Sequence, residues 1–575
     1  MRLAITSSVL APKKTAISTA LPGLVLVAAT VAAYWNSLGV PFLLDDHATL
    51  QANPSITRLW PLSTVLFPPG EMYTAGRPLL NLSFALNHAI SGTSVGGYHV
   101  TNLAIHVAAA LVFFGIVRRT LALPRFCPAF NGSASFFAFA AAALWALHPL
   151  QTVSVTYLSQ RAESLMGLFY LLTLYCFIRG TERGAVRWMS AAVVTCALGL
   201  ATKEVMVTAP LVVFLYDWQC VAGTARGAWQ QRWRTHAALG ATWLLLGGLM
   251  IGANLSQRAI GLGHNLSRFD YLQLECRAIV HYLQITVWPH PLIFDHGPDL
   301  PKPTLVEVIT QGGLIVSLIG LSLFGLWRGR MWGFLGCIFF LLLAPTSSVI
   351  PIAGQPIAEN RMYLPLASVL LIAAGGLQRV LAERSRAPFG GVLILSGLLS
   401  WARNADYRTE IEILSDTVAK QPANGRAWYW LSTAHAGAGQ PSEALQTMIR
   451  AVHHRPNDAA LRNNLAVAFY TAGRMAEAKL EFEKAIQLNP GYAEALYNLG
   501  ALLYQTGQFG PALQAFQRSL QIKPGSAEAE NYAGLCARTL GDIPLAVRHF
   551  QRAVEIDPQH QAARANLQQA LSLRR

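Results

Sequence analysis

NNLAVAFYTAGRMAEAKLEFEKAIQLNP, residues 463–490, is followed by YNLGALLYQTGQFGPALQAFQRSLQIKP, residues 497–524, and the two stretches correspond at a shift of 34 positions. The same shift runs through the last part of the chain. Pro422, Pro456, Pro490, Pro524 and Pro558 keep it, as do Gly439, Gly473, Gly507 and Gly541, and Ala444, Ala478, Ala512 and Ala546. Met448, Phe482, Phe516 and Phe550 form another column, and Ala451, Ala485, Ser519 and Ala553 a further one. The glycine lets the chain turn between two helices, the small residue permits close packing, the aromatic fills the gap and the proline ends the second helix. One such unit cannot bury its apolar face alone, so stability comes from stacking on its neighbours.

This pattern is the tetratricopeptide repeat. Four repeats cover 425–560, preceded by a linker or helix at 403–424 and closed by a capping helix at 561–575 that shields the last repeat. Stacks of this kind make a concave groove that takes an extended or helical peptide. Trp430, Asn464, Asn498 and Tyr532 occupy equivalent positions on the inner helices and are the candidate peptide-groove residues. The two asparagines form a two-rung ladder for a peptide backbone, and they read equally well as solvated polar residues on a helix face.

Working outward, the polarity changes before residue 403. The chain of 575 residues is 53% hydrophobic and 13% charged, too apolar for a soluble protein of this length. Apolar windows of roughly 17–22 residues, each about the length that crosses a hydrocarbon core, recur through 1–402. They are expected as crossings at 17–35, 98–117, 133–147, 164–178, 188–202, 204–218, 236–254, 311–327, 331–345, 363–381 and 388–402. Spanning segments must satisfy their own backbone hydrogen bonds and are therefore helices. The expected fold class is all-α: a polytopic transmembrane helical domain at 1–402 followed by a tetratricopeptide α-solenoid. Segment 276–294 does not fit the alternation and is read as re-entrant or surface-lying.

The net charge of +15 follows the same division. Residues 403–575 hold 18 Lys/Arg against 15 Asp/Glu, so an excess of 12 sits in the apolar part. There the basic residues gather in alternate loops: Arg2, Lys13 and Lys14; Arg118, Arg119 and Arg125; Arg179, Arg183 and Arg187; Arg226, Arg232 and Arg234; Arg328 and Arg330; Arg379, Arg384 and Arg386. These 17 face only Glu182, Asp217 and Glu383 among acids, while the opposite loops carry 9 basic and 11 acidic residues. That asymmetry marks the first set as cytoplasmic. It explains the charge without nucleic acid and puts the N-terminus inside and the repeats outside. The seven cysteines, Cys127, Cys176, Cys196, Cys220, Cys276, Cys337 and Cys536, show no CxxC spacing; they read as small buried hydrophobes, and no metal ligand set is apparent.

Charged and imidazole groups in an apolar domain are costly, and each is a functional candidate by default. The notable ones all fall on the expected outer side. They are Asp45, Asp46 and His47 after the first span; Arg77; His99, Asn102 and His106; His148, Arg161 and Glu163; Lys203 and Glu204; and Glu359, Arg361 and Tyr363. An aspartate within reach of a hydroxyl can take its proton as the oxygen attacks. Arginine and lysine can hold a phosphate and stabilise its charge as it leaves. A polyprenyl-phosphate sugar carries its head group at that depth, and no P-loop or dinucleotide fingerprint points to a nucleotide instead. Read singly, the aspartates are also plain helix caps, His99 and His106 packed imidazoles, Arg161–Glu163 and Lys203–Glu204 structural ion pairs, and Tyr363 an interfacial anchor.

Over both domains, in order, the chain resembles the transmembrane and tetratricopeptide repeat (TMTC-type) O-mannosyltransferases, members of the GT-C class. The residues that carry this are Asp45-Asp46-His47, Arg77-Pro78-Leu79, Tyr98-His99 with Asn102 and His106, His148-Pro149, Arg161-Ala162-Glu163, Lys203-Glu204 and Glu359 to Pro365. The resemblance implies transfer of mannose or another hexose from a polyprenyl-phosphate donor to Ser/Thr hydroxyls of outer-side proteins; direct attack by the acceptor hydroxyl would invert the anomeric carbon. It implies catalysis by Asp45 or Asp46, the other polar residues holding the lipid phosphate or substrate, and the repeats binding the acceptor. A divalent cation at the aspartate pair is an open possibility. A bacterial member in the inner membrane, with periplasmic repeats, is expected. The chain departs from the family in having Gln151 and Val153 where a second His and a Glu are usual, and Asn360 between Glu359 and Arg361. Two other readings remain: a non-enzymatic membrane-anchored scaffold, and a lipid-linked-sugar enzyme of surface polysaccharide.

The charge asymmetry predicts that alkaline phosphatase fused to the C-terminus is active, whereas a fluorescent protein that matures only in the cytoplasm stays dark there. The reverse pair of results would invert the topology.

Overall fold

A computed structural model describes residues 17–70, 72–126, 133–252, 268–347, 354–381 and 387–573. Arg2, Lys13, Lys14, Cys127, Glu383, Arg384 and Arg386 lie outside the described residues. Among those described there are helices and turns but no strand. The chain divides into two compact units, Met1–Asp416 and Thr417–Arg575. Residues 403–416, expected in the linker, thus belong to the first unit. The reason is visible in the packing: Tyr407 is buried, and the Arg403 guanidinium is clamped by Asp406 at 2.9 Å and Asp416 at 2.7 Å.

Every expected crossing of the first unit meets a helix: Ile17–Tyr34, Val95–Leu121, Ala134–Ala146, Arg161–Arg183, Val186–Leu200, Ala209–Tyr216, Ala225–Gly252, Leu305–Trp327, Met331–Leu343, Pro365–Leu381 and Ala387–Ala405. Among the described residues, five helices are long and apolar enough to cross a membrane by length and composition, and the pair Ala134–Ala146 and Pro149–Thr156 passes the same test together across a 52° bend. Val186–Leu200, Met331–Leu343 and Pro365–Gly376 are apolar but shorter. Small residues let these helices approach closely, as they do between helices in lipid. Ala138, Ala140, Ala141, Ala142, Ala143 and Ala146 are all buried on one helix. At Gly167 a Cβ would stand 2.4 Å from the Tyr363 ring, so glycine is required there. Val306, Ile309, Val316 and Leu323 of Leu305–Trp327 point outward, giving it an apolar outer face. Segment 276–294 begins within the helix Arg268–Val287, which buries Tyr271, Leu274, Ala278, Tyr282 and Ile285 but also carries Asp270, Glu275 and Arg277. These charges keep it out of the apolar set; beyond it the chain runs irregularly to Thr304.

The second unit is four helix pairs and a cap, from Gly425–Gly437 with Pro441–His454 through Ala527–Thr539 with Ile543–Ile556 to Gln561–Leu573. The turn glycines Gly439, Gly473, Gly507 and Gly541 have φ of 73°, 76°, 75° and 87°, left-handed values that a Cβ would oppose. The aromatic column is fully enclosed at Phe516 and Phe550, each against a glycine of the preceding helix: a Cβ on Gly500 would lie 2.9 Å from Phe516, and one on Gly534 2.6 Å from Phe550. Ser519, the one polar member of its column, donates its hydroxyl to the Ala493 carbonyl at 2.7 Å, so its burial leaves no orphaned group. Ala563 and Ala570 of the last helix pack inward, which closes the stack.

Phe516 also stacks on Tyr532 at 5.5 Å and meets Tyr497 edge-on at 5.7 Å. Phe516→Ala should therefore cost about 3–5 kcal/mol of repeat stability. Hydrogen exchange on the full chain should show faster exchange across 495–537, with the membrane helices unchanged.

Candidate functional site

The segment after the first helix turns sharply at Leu44, whose φ of 45° is rare for a branched residue. Bonds to the side chains around it hold that turn. Asp46 is fully buried. Its Oδ1 accepts the Ser159 backbone N–H at 2.7 Å and the Ser159 hydroxyl, and its Oδ2 accepts the Leu43 N–H at 3.2 Å. Tyr157 accepts the Asp45 backbone N–H at 3.0 Å, and Glu410 accepts the Leu44 N–H at 2.7 Å and pairs with His47 at 2.9 Å. Asp45 itself has an exposed side chain. The two aspartates are thus unlike: one is enclosed and bonded on both oxygens, the other presented. Burial, and secondarily the neighbouring Asp45 charge, push the Asp46 carboxyl up from 3.8 to about 7 against the lowering effect of its hydrogen bonds.

The residues after Ser159 carry the next part of the network. Arg161 is fully buried, and its guanidinium donates to Asn102 Oδ1 at 2.6 Å, Asn87 Oδ1 at 2.7 Å, and the Ser83 and Tyr98 carbonyls at 3.2 Å, while lying 4.5 Å over the Phe84 ring. Glu163 accepts from Lys203 Nζ at 2.5 Å and from Asn360 at 3.2 Å. Asn360, the residue by which the chain departs from the expected Glu-Arg pair, therefore bridges Gln160 and Glu163. Arg77 reaches Glu204 at 3.3 Å, with side chains 20% and 42% exposed, which makes this the most open of the pairs among the candidate cations.

The remaining sequence candidates lie deeper. His99 bonds the Val40 carbonyl at 2.8 Å, and His148 the Thr286 carbonyl at 3.1 Å. His106 lies between the Tyr363 hydroxyl at 2.9 Å and the Ala146 carbonyl at 3.0 Å. Tyr363 is 1% exposed, packed on Trp145 and His106, so it is a core residue of this unit. Arg361 donates to the Pro356 carbonyl at 2.9 Å, the Gln355 carbonyl at 2.5 Å, Ser347 at 3.3 Å and Glu275 at 3.4 Å. Glu359 accepts the Ile293 N–H at 2.8 Å and faces His281 and His296. Ser159, Tyr157, Glu410, Glu275, His281 and His296 all belong to this network without having been singled out in the sequence. Tyr157 and Ser159 lie within the polar run ending at Glu163; Glu410 lies in the expected linker, and no local signal marks the two histidines.

In the second unit, Asn498 donates to the buried Asn463 at 3.0 Å, and Asn566 repeats that bond to Asn531 at 2.9 Å. Asn464, by contrast, is half-buried, and among the described residues its neighbour Asn463 donates to its Oδ1 at 3.5 Å. Trp430 lies under the Arg426 guanidinium at 5.0 Å, and Tyr532 sits partly within the aromatic core.

Tetratricopeptide-repeat family models match residues 432–493 and 469–539. A protein O-mannosyl-transferase of Caenorhabditis elegans is 24% identical over 76% of this chain and 63% of its own length. The protein O-mannosyl-transferase Tmtc1 of Drosophila melanogaster is 26% identical over 75% of this chain and 61% of its length. This chain therefore spans less than two thirds of either relative. A match to 76% of the chain exceeds Met1–Asp416 alone, so the resemblance to the TMTC-type O-mannosyltransferases reaches both units. Among solved structures, MamA is 26% identical over 26% of this chain and 87% of its own, with a TM-score of 0.25.

The difference between the two aspartates has a measurable consequence. Asp46→Asn places an amide N–H toward a backbone N–H, leaving a buried donor unsatisfied, and should cost about 1–3 kcal/mol; Asp45→Asn, at an exposed side chain, should cost less. Because the Asp46 carboxyl titrates higher when folded, its contribution is fully present below pH 3.8 and is lost as pH rises through about 7. Thermal melts in detergent should show that decline in the wild type, and a flatter profile in Asp46→Asn.

Proposed function

We propose that this chain is an inverting membrane glycosyltransferase that moves mannose or another hexose from a polyprenyl-phosphate donor to Ser/Thr hydroxyls of proteins. The observation that carries this reading is the presentation of Asp45 on a turn that Asp46, Tyr157 and Glu410 hold from within. A base must be reachable by the hydroxyl it deprotonates and fixed in place while doing so. Asp45 meets both conditions, and Asp46 is its positioning residue. In the step itself, the hydroxyl proton passes to the Asp45 carboxylate as the oxygen bonds to the anomeric carbon. The bond from that carbon to the phosphate oxygen breaks, and the phosphate leaves on the polyprenol. Attack opposite the leaving group inverts the centre without a sugar–enzyme intermediate.

Arg77, one-fifth exposed and paired with the more open Glu204, is the candidate for holding the departing phosphate. Arg161 and Arg361, both enclosed and bonded to several acceptors, instead fix the frame around it. The names of the similar proteins support the same reaction class. The repeats serve as the acceptor-binding part, on the outer side of a bacterial inner membrane, with the N-terminus in the cytoplasm. Asn464 is the freer rung of the proposed groove, since Asn498 already spends an N–H on Asn463.

The test is sugar transfer from a defined polyprenyl-phosphate donor by purified protein. General-base catalysis typically contributes about 100- to 10,000-fold, so Asp45→Asn should lose that much rate while still folding cooperatively. Arg77→Ala should raise the donor concentration needed for half-maximal rate. Wild-type transfer by a well-folded Asp45→Asn protein would remove the base assignment; a wild-type protein inactive with every such donor would favour the scaffold reading.

A further inference from the structure

His281 projects from the helix Arg268–Val287, His296 from the irregular stretch that follows it, and Glu359 opens the short 3-10 helix Glu359–Met362. They are 15 and 63 residues apart in sequence (296 − 281 and 359 − 296), yet one ligand atom from each lies within 4.8 Å of the other two. His281 Nε2 stands 3.7 Å and His296 Nε2 3.4 Å from the same Glu359 Oε1. The imidazoles meet edge to face, with centroids 5.1 Å apart and planes at 79°. Both Nε2 atoms are shielded from solvent without a hydrogen-bond partner among the described residues, and the His296 and Glu359 residues are each 7% exposed.

Two imidazoles aimed at one carboxylate oxygen, without the geometry of a hydrogen bond, are hard to account for as packing, because buried polar atoms are normally satisfied. They are easily accounted for as ligands. With metal–ligand bonds of about 2.0–2.2 Å, tetrahedral geometry separates ligand atoms by roughly 3.3–3.6 Å, close to the two nitrogen–oxygen spacings of 3.7 and 3.4 Å. We infer that His281, His296 and Glu359 form a binding site for a divalent transition ion of the Zn2+ class, with one coordination position open. Nitrogen and oxygen ligands in a two-histidine, one-carboxylate set suit zinc, and three protein ligands leave the fourth position for water or a substrate oxygen.

The site is next to the Asp45 turn in the bonding network and separate from it. Ile293 donates to Glu359, Phe294 packs edge-on against Tyr157 at 5.1 Å, and Tyr157 accepts the Asp45 N–H. A bound ion would tie the helix, the 293–296 stretch and the Glu359 turn together, fixing the wall on which Tyr157 rests. It would therefore act as a positioning element for Asp45.

Cobalt(II) reports such a site without any assay of sugar transfer. Full-length protein, freed of affinity tag and stripped with chelator, should take up about one cobalt per chain with the intense visible bands of tetrahedral coordination, and zinc should displace it. His296→Cys should keep the ion and add a thiolate-to-cobalt charge-transfer band, which identifies that side chain as a ligand. Glu359→Gln with His281→Ala should weaken zinc binding by more than the 10- to 100-fold typical of outer-shell changes. Folded wild-type protein that lacks the tetrahedral bands overturns the inference whatever the variants do. So does a cobalt spectrum unaltered in folded variants. Loss of transfer activity with a normal cobalt spectrum would count against the proposed reaction alone.

Discussion

The buried carboxylate of Asp46 is the constraint on which the rest of the candidate site depends. A carboxylate removed from water must be bonded on both oxygens or be protonated. Here the donors come from its own turn, at Leu43, and from a distant one, at Ser159. Satisfying the group therefore fixes the loop after the first helix against the start of the helix Arg161–Arg183. Everything that follows Ser159 inherits that placement: Arg161 with its amide and carbonyl acceptors, and Glu163 with Lys203 and Asn360. Tyr157 and Glu410 hold the backbone on either side of the turn, so that Asp45 is displayed from a rigid base.

The same economy of charge runs through the first unit. Arg77, Lys203, Arg232 and Arg361 each meet a carboxylate, on Glu204, Glu163, Asp217 and Glu275 respectively. Arg161 is accommodated differently, by neutral oxygens and an aromatic face. In an apolar domain an unpaired buried charge is costly, whereas a paired or fully hydrogen-bonded one is tolerable. Most cations near the site consequently have protein partners, and their function is to hold shape. Asp45 is exposed, and the Arg77–Glu204 pair, at 20% and 42%, is more open than the Lys203–Glu163 and Arg361–Glu275 pairs.

The second unit is built on a different principle. Its ion pairs, such as Arg462–Glu481 and Lys484–Glu481, are local; what recurs with the sequence period is an aromatic of one helix packed above a small residue of the preceding one. Phe516 against Gly500 and Phe550 against Gly534 are two instances of one contact. Nearest-neighbour packing of this kind makes a long, regular surface from local rules. Side chains such as Asn464 can vary on that surface without disturbing the stack, which suits a groove whose partner is set by a few exposed positions.

How much of this was legible beforehand depends on whether the determining interactions are local. The 34-residue period specifies the repeat unit completely, because each glycine, alanine and aromatic does its work within one helix pair or the next. The apolar windows likewise locate the helices of the first unit, because backbone satisfaction in lipid is a property of each segment alone. The residue types of the candidate site were also visible, since charge stands out against an apolar background. What the sequence could not rank was Asp45 against Asp46, adjacent residues of identical chemistry. That difference arises only when Ser159, 113 positions away, encloses one of them. Nor could it show that Arg161 is fully engaged by protein oxygens, that Glu410 belongs to the site, or that His281 and His296 converge on Glu359. Such groups are brought together by helix packing over tens to hundreds of residues, and no periodicity in the chain encodes a contact between side chains that only the folded unit makes neighbours.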